Sequence, residues 1–274
     1  MPELDYDPGL PLNARTETLA ERDGVVIADC GFDNAEGDRA TGYLVFPSGA
    51  LLAAGDDLAG VVYQHSTGGR EGFLSEAIQV AEAGGIALSL PIADTGDAVR
   101  NLRESIFAIR RGADLLTAYG ADRLGCVGHS FGAMTAGTVS GIDDRFRCFV
   151  FDSGLSGLSV HYRETPYPEI RKLRESMTPA EYEPLLALLE PYDCGHFVGM
   201  AAPAALLFQS AWFDPNVSRE NAEKFFAAAS SPKEFRWYDT GHVINDVAAY
   251  TDRARFLAEH LALPTLPGRL RART

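Results

Sequence analysis

Gly128-His129-Ser130-Phe131-Gly132 sets a serine between two glycines, each two positions away. An apolar run, Leu124 to Val127, precedes it, and a helix-compatible stretch, 131–140, follows. A sharp turn from strand to helix forces such a serine into a strained backbone, and only small neighbours fit around it. The hydroxyl is lifted clear of the sheet, near a helix N-terminus whose free N–H groups favour developing negative charge. Out of that context the pattern reads as a Gly-rich turn with a helix-capping serine. In context it reads as a nucleophile for acyl transfer, which needs a base held by an acid.

Six histidines are available: His65, His129, His161, His196, His242 and His260. His129 lies inside the turn and cannot easily reach its neighbour's hydroxyl, so it is expected to border the substrate instead. His161 and His196 fall in a segment without strands, and His260 lies deep in an amphipathic helix. His242, in Asp239-Thr240-Gly241-His242, follows the last strand on a short loop. A base there, at the carboxyl end of a parallel strand, can meet Ser130 from across the sheet.

The acid belongs on another strand end between Ser130 and His242. Asp214, in the loop Trp212-Phe213-Asp214-Pro215-Asn216 after the run Ala204 to Phe208, fits best. Asp152, at the end of the preceding strand, is the rival, and a plain turn before Pro215 is the alternative role for Asp214. An oxyanion needs two backbone donors. The Phe131 N–H is one. The small, Gly-rich loop Gln64-His65-Ser66-Thr67-Gly68-Gly69 offers the other from Thr67, with Ser66 as alternative. His65 is expected to be a structural hydrogen-bonding residue.

The elements that must position these groups alternate. Strands are predicted over 25–32, 40–46, 60–64, 86–90, 124–127, 146–151, 204–208 and 235–238, with helices up to Ala83 and over 97–119, 131–140, 218–229 and 246–261. In 97–119, Val99, Leu102, Ile106, Ile109, Ala113 and Leu116 share one face. Such alternation predicts a mostly parallel sheet with helices on both faces. The rhythm breaks at 155–196, which holds no good strand and two expected short helices. Thr178, Pro179 and Glu181 mark one helix start. This segment is expected to be a lid over the strand ends. Its large residues, Tyr162 and Tyr167 among them, would wall a substrate pocket with Trp212 and Phe213 from the acid's loop.

The chain has 274 residues and a formal net charge of -14, from 38 acidic and 24 basic residues. An acidic surface repels phosphate backbones and anionic lipid, which argues against nucleic-acid or membrane-surface binding. No apolar run approaches the roughly 18 residues of a membrane span. Cys30, Cys126, Cys148 and Cys194 form no CxxC pair, so no metal or redox site is expected. The N-terminus has no basic start or apolar core of a signal peptide. A cytoplasmic protein is the expectation, with homo-oligomerisation left open. The first dozen residues and the last ten, with Arg269, Arg271 and Arg273, read as loosely held ends.

Taken together, the Ser130 turn and the order Ser130, Asp214, His242 resemble the α/β-hydrolase superfamily over roughly 25–262. The compact arrangement with two leading antiparallel strands resembles its serine esterase and dienelactone-hydrolase-like branch. Dienelactone hydrolases proper carry cysteine at the turn, and Ser130 points toward esters instead. The resemblance implies one α/β-hydrolase domain over 1–274, with 155–196 as its lid. It also implies hydrolysis of a small-molecule carboxylic ester through an acyl-enzyme, with no metal or organic cofactor. An acyltransferase, a peptidase or a catalytically silent binding protein on the same fold are the alternatives.

Overall fold

The computed structural model describes residues 2–49 and 57–269; Arg271 and Arg273 lie outside them. The central feature is a nine-stranded sheet. Its strands are β1 (Arg15–Arg22), β2 (Val25–Asp33), β3 (Arg39–Pro47), β4 (Leu58–His65), β5 (Ile86–Pro91), β6 (Ala121–His129), β7 (Phe146–Asp152), β8 (Ala205–Ala211) and β9 (Lys233–Tyr238). They lie in the order β1-β2-β3-β5-β4-β6-β7-β8-β9. The first three pair antiparallel, β3 meets β5 antiparallel, and every pair from β5 to β9 is parallel.

The parallel strands are short runs of apolar residues because both of their faces are covered. Helices α1 (Leu74–Glu82) and α8 (Val247–Leu261) lie on one face. Helices α2 (Ala98–Ala118), α3 (Phe131–Ser140) and α7 (Arg219–Ala228) lie on the other. Alternate side chains divide between the two layers. In β7, Phe149 and Phe151 join the α2–α3–α7 side, while Cys148 and Val150 face α1 and α8. All four cysteines are buried and unpaired. Among the described residues no helix is long and apolar enough to cross a membrane.

The structure departs from the sequence expectations in three places. First, β1 is a strand that periodicity does not predict. Every residue of its sequence RTETLAER is exposed, so it carries no apolar face, and only its pairing with β2 makes it a strand. Second, both described ends are tied down. Leu4 is buried, the Tyr6 hydroxyl donates to Asp114 at 2.9 Å, and Arg111 donates to the carbonyls of Leu10 and Pro11. Leu266 is buried in a short 3-10 turn at the other end. Loose ends were expected because the arginines that grip the first segment sit about a hundred residues away in sequence.

Third, the segment between β7 and β8 holds three α-helices rather than two: α4 (Leu158–Glu164), α5 (Pro168–Ser176) and α6 (Pro179–Leu189). Helix α5 buries no residue, which hides it from a search for apolar periodicity. Its place is set by Arg174, which donates to the carbonyls of Tyr162, Arg163 and Thr165 at the end of α4. Carbonyls at a helix end have no partner within the helix and need one from outside. The start of α6 is as read, with the Thr178 N–H on the Glu181 carboxylate at 2.8 Å.

One buried ionic cluster joins three elements. Arg253 of α8, 1% exposed, donates to Asp152 Oδ2 at 2.6 Å and to Glu76 Oε1 of α1 at 3.1 Å. Burial pushes the Glu76 carboxyl up, against the pull of Arg253. Arg253→Ala leaves two carboxylates buried without their cation. It should lower unfolding free energy by about 3–5 kcal/mol, read from the shift of the urea midpoint at unchanged slope.

Candidate active site

Ser130 stands between β6 and α3 with φ 56° and ψ -114°. Its N–H donates to the carbonyl of Asp152 on the neighbouring strand at 2.8 Å. The flanking glycines have no room for a side chain. A Cβ on Gly128 would sit 2.1 Å from the Gly132 carbonyl, and one on Gly132 would sit 2.1 Å from the Gln64 carbonyl. The Ala133 and Met134 N–H groups both donate to the Ser130 carbonyl. The first N–H of α3, that of Phe131, lies ahead of these bonds, where helix donors are free for a ligand.

His242 Nε2 lies 2.9 Å from Ser130 Oγ. Its Nδ1 lies 2.8 Å from Asp214 Oδ2. A carboxylate can only accept, so Nδ1 carries the proton and Nε2 offers a lone pair to the serine hydroxyl. The Asp214 side chain is 2% exposed. Its second oxygen accepts from the Asn216 and Val217 N–H groups at 2.8 and 2.9 Å. The carboxylate is thus held by its own turn while one oxygen stays on the imidazole. Asp152 does not compete: its carboxylate faces Arg253.

The loop of His242 is gripped at its backbone. The His242 carbonyl accepts from Ser153 Oγ at 2.8 Å and from His129 Nε2 at 2.9 Å. Nε2 of His129 therefore carries a proton, and its Nδ1 accepts from the Ser66 hydroxyl at 3.2 Å. Burial, ahead of nearby charges, holds the His129 pKa below the usual range. His65 stacks on it with ring centroids 4.1 Å apart and accepts the Gly68 N–H at 2.9 Å. Burial, then His129, lowers the His65 pKa to about 3. Two neutral rings thus brace the loop that carries His242. Sequence reasoning missed Ser153 altogether, because nothing local marks it.

A cavity of about 270 Å³ opens on Ser130, Phe131 and His242. The 155–196 segment supplies Leu155, Leu158, His161, Tyr162, Tyr167 and Ile170 to its wall. Three residues expected on its wall stand elsewhere. His129 is 1% exposed and lies behind the site, not on the substrate surface. Trp212 stacks on Trp237 of β9 at 4.5 Å, and Phe213 points out at 73% exposure. The acid's loop reaches the cavity through Asn216 and Val217 instead. Thr67 is exposed, at the end of β4 and next to Ser66; neither lines the cavity, whereas Phe131 does. No Lys, Arg, Asp or Glu is among the lining residues. Among the described residues, no cluster of His, Cys, Asp and Glu is suited to hold a metal ion.

Comparison with known proteins agrees with this architecture. An acetyl xylan esterase from Paenibacillus sp. R4 superposes with a TM-score of 0.78 at 20% identity, over 92% of this chain and 90% of that one. Acetyl xylan esterase 1 from Thermoanaerobacterium sp. JW/SL YS485 gives 0.69 at 15% identity, over 98% and 91%. A puromycin-hydrolysing peptidase from Mycobacterium tuberculosis gives 0.65 at 16% identity, over 91% of this chain and 40% of that one. These likenesses show the α/β-hydrolase fold. A search of curated protein sequences returned no significant match. The profile of the prolyl oligopeptidase family matches residues 101–263, a stretch that runs from α2 through α8 and contains Ser130, Asp214 and His242. The chain belongs to the prolyl oligopeptidase family.

Proposed function

We propose that this protein is a serine hydrolase that cleaves carboxylic esters, with Ser130 as nucleophile, His242 as general base and Asp214 as the acid that orients it. The observation that carries this reading is the unbroken hydrogen-bonded line from Asp214 through His242 to Ser130 at the mouth of a cavity. In the proposed sequence, the Ser130 hydroxyl passes its proton to His242 Nε2 as Oγ attacks the ester carbonyl. The carbonyl oxygen becomes an oxyanion beside the Phe131 N–H, with the 66–67 backbone as the proposed second donor. His242 then gives its proton to the departing alcohol. A water, deprotonated by His242, releases the acid and returns the proton to Ser130. Every bond and proton is accounted for by these residues, the ester and water.

The esterase relatives among the structural neighbours favour the same chemistry. A peptidase is the second reading, and the family favours it. The cavity weighs against it for peptide termini, because its wall offers no charged side chain to receive an ammonium or a carboxylate. Parallel assays of an activated ester and an aminoacyl anilide separate the two. A cytoplasmic setting accords with four unpaired cysteines.

We further propose that 155–196 acts as the lid of this single domain and sets the size of the ester it admits. Tyr162 and Tyr167 line the cavity, and the hydrogen bonds of Tyr162 run through its carbonyl, which accepts from Tyr182 and Arg174. A change to alanine keeps those bonds.

Ser130→Ala should abolish turnover of an activated ester and labelling by a fluorophosphonate, with the circular dichroism spectrum unchanged; a folded, active variant refutes the nucleophile. Asp214→Asn keeps the turn but places an amide against His242 Nδ1, and should cost on the order of 10⁴ in rate. Near-normal rates in that variant would remove Asp214 from the mechanism. Tyr162→Ala or Tyr167→Ala should shift preference toward longer acyl chains more than it lowers the melting temperature, measured across a series of 4-nitrophenyl esters. An unchanged chain-length profile in both would place the size limit elsewhere.

A further inference from the structure

His161 stands on α4 in the wall of the same cavity as Ser130 and His242, and the mechanism above gives it no task. Among the described residues no hydrogen bond holds its ring, and Nδ1 is shielded from water without a partner. Burial, then the nearby His242, pushes its pKa down to about 4. The ring is therefore neutral near pH 7, with one N–H and one lone pair to place on its two nitrogens. An orphaned buried N–H is rarer and costlier than an under-used acceptor. The proton accordingly belongs on Nε2, which has no hydrogen-bond partner among the described residues and is the nitrogen left for a molecule in the cavity.

The rest of the wall restricts what that molecule is. It is mainly apolar, with Leu155, Leu158, Met134 and Val217 among its residues and no Lys, Arg, Asp or Glu. A charged group would lose its hydration there with no counter-ion. A wholly hydrocarbon group would strip water from the His161 N–H and return nothing. We propose, building on the esterase reading, that His161 determines specificity: its Nε2–H donates to an acceptor oxygen on the part of an uncharged ester lodged in the cavity. The enzyme then selects esters bearing an ether, hydroxyl or carbonyl oxygen there over all-carbon esters of the same size.

The test uses two isosteric pairs: 4-nitrophenyl methoxyacetate against 4-nitrophenyl butyrate, and 2-methoxyethyl acetate against butyl acetate. Each kcat/KM is divided by the ester's rate of alkaline hydrolysis, which removes intrinsic reactivity. The wild-type chain should prefer the oxygen-bearing member of at least one pair. His161→Leu should lose that preference by about tenfold, the worth of one net hydrogen bond, with turnover of the hydrocarbon member kept. His161→Gln, whose amide N–H reaches about as far as Nε2, should retain most of it. If His161→Leu does not fold, His161→Phe takes its place in the same measurement. Equal loss on both members of each pair, or unchanged ratios, overturns the inference and leaves the esterase reading standing. No turnover of any of the four by the wild-type chain overturns both.

Discussion

The backbone of Ser130 is the constraint on which the rest of the molecule depends. A non-glycine residue at φ 56° and ψ -114° costs of order 1–3 kcal/mol and persists only where its surroundings over-determine it. Here they do so from three sides. The β4–β6–β7 pairing delivers the chain in register, with His65 beside His129 and His129 beside Asp152. The Asp152 carbonyl takes the Ser130 N–H. The β4 backbone lies so close to Gly132 that no side chain fits there at the start of the helix. The Arg253 cluster then serves the same end, because it fixes the strand end that carries Asp152.

The second layer of the design concerns His242, the proposed base. A histidine on a loop is held poorly by its ring alone, since a general base must be free to exchange protons. This loop is fixed by its carbonyl instead, through Ser153 and His129. Neutral rings suit the task. In the proposed acyl transfer, a charged His129 would repel the imidazolium that His242 becomes, and burial keeps His129 neutral. Asp214 completes the arrangement from β8, with one oxygen satisfied by its own turn.

The contrast between surface and cavity bears on what the site admits. The chain carries a net charge of -14, whereas the cavity wall carries no Lys, Arg, Asp or Glu. An acidic exterior discourages anionic ligands at long range, and an uncharged wall discourages ions of either sign at contact. Uncharged esters meet neither obstacle. The helical segment above the strand ends contributes Leu155, Leu158, Tyr162, Tyr167 and Ile170 to the wall, while its own internal bonds, such as Arg174 onto the end of α4, keep it folded where little of α5 is buried.

The sequence alone determined the parts whose cause is local. The strand-to-helix turn at Ser130 follows from the steric demand on Gly128 and Gly132, and both glycines prove to have no room for a Cβ. The β/α alternation follows from apolar periodicity, and chain order sets Ser130, Asp214 and His242 after β6, β8 and β9. Tertiary structure alone decided what depends on distant partners. The polar strand β1 exists because β2 offers it an edge. The first residues are held by arginines of α2. Trp212 and Phe213 read as pocket residues because they adjoin Asp214, but the Asp214 turn sends Asn216 and Val217 inward and leaves Trp212 stacked on the edge strand. His129 and Ser153 carry no local signature either: their roles arise from a carbonyl about 90 to 110 residues away in the chain, which only the folded sheet brings within 2.9 Å.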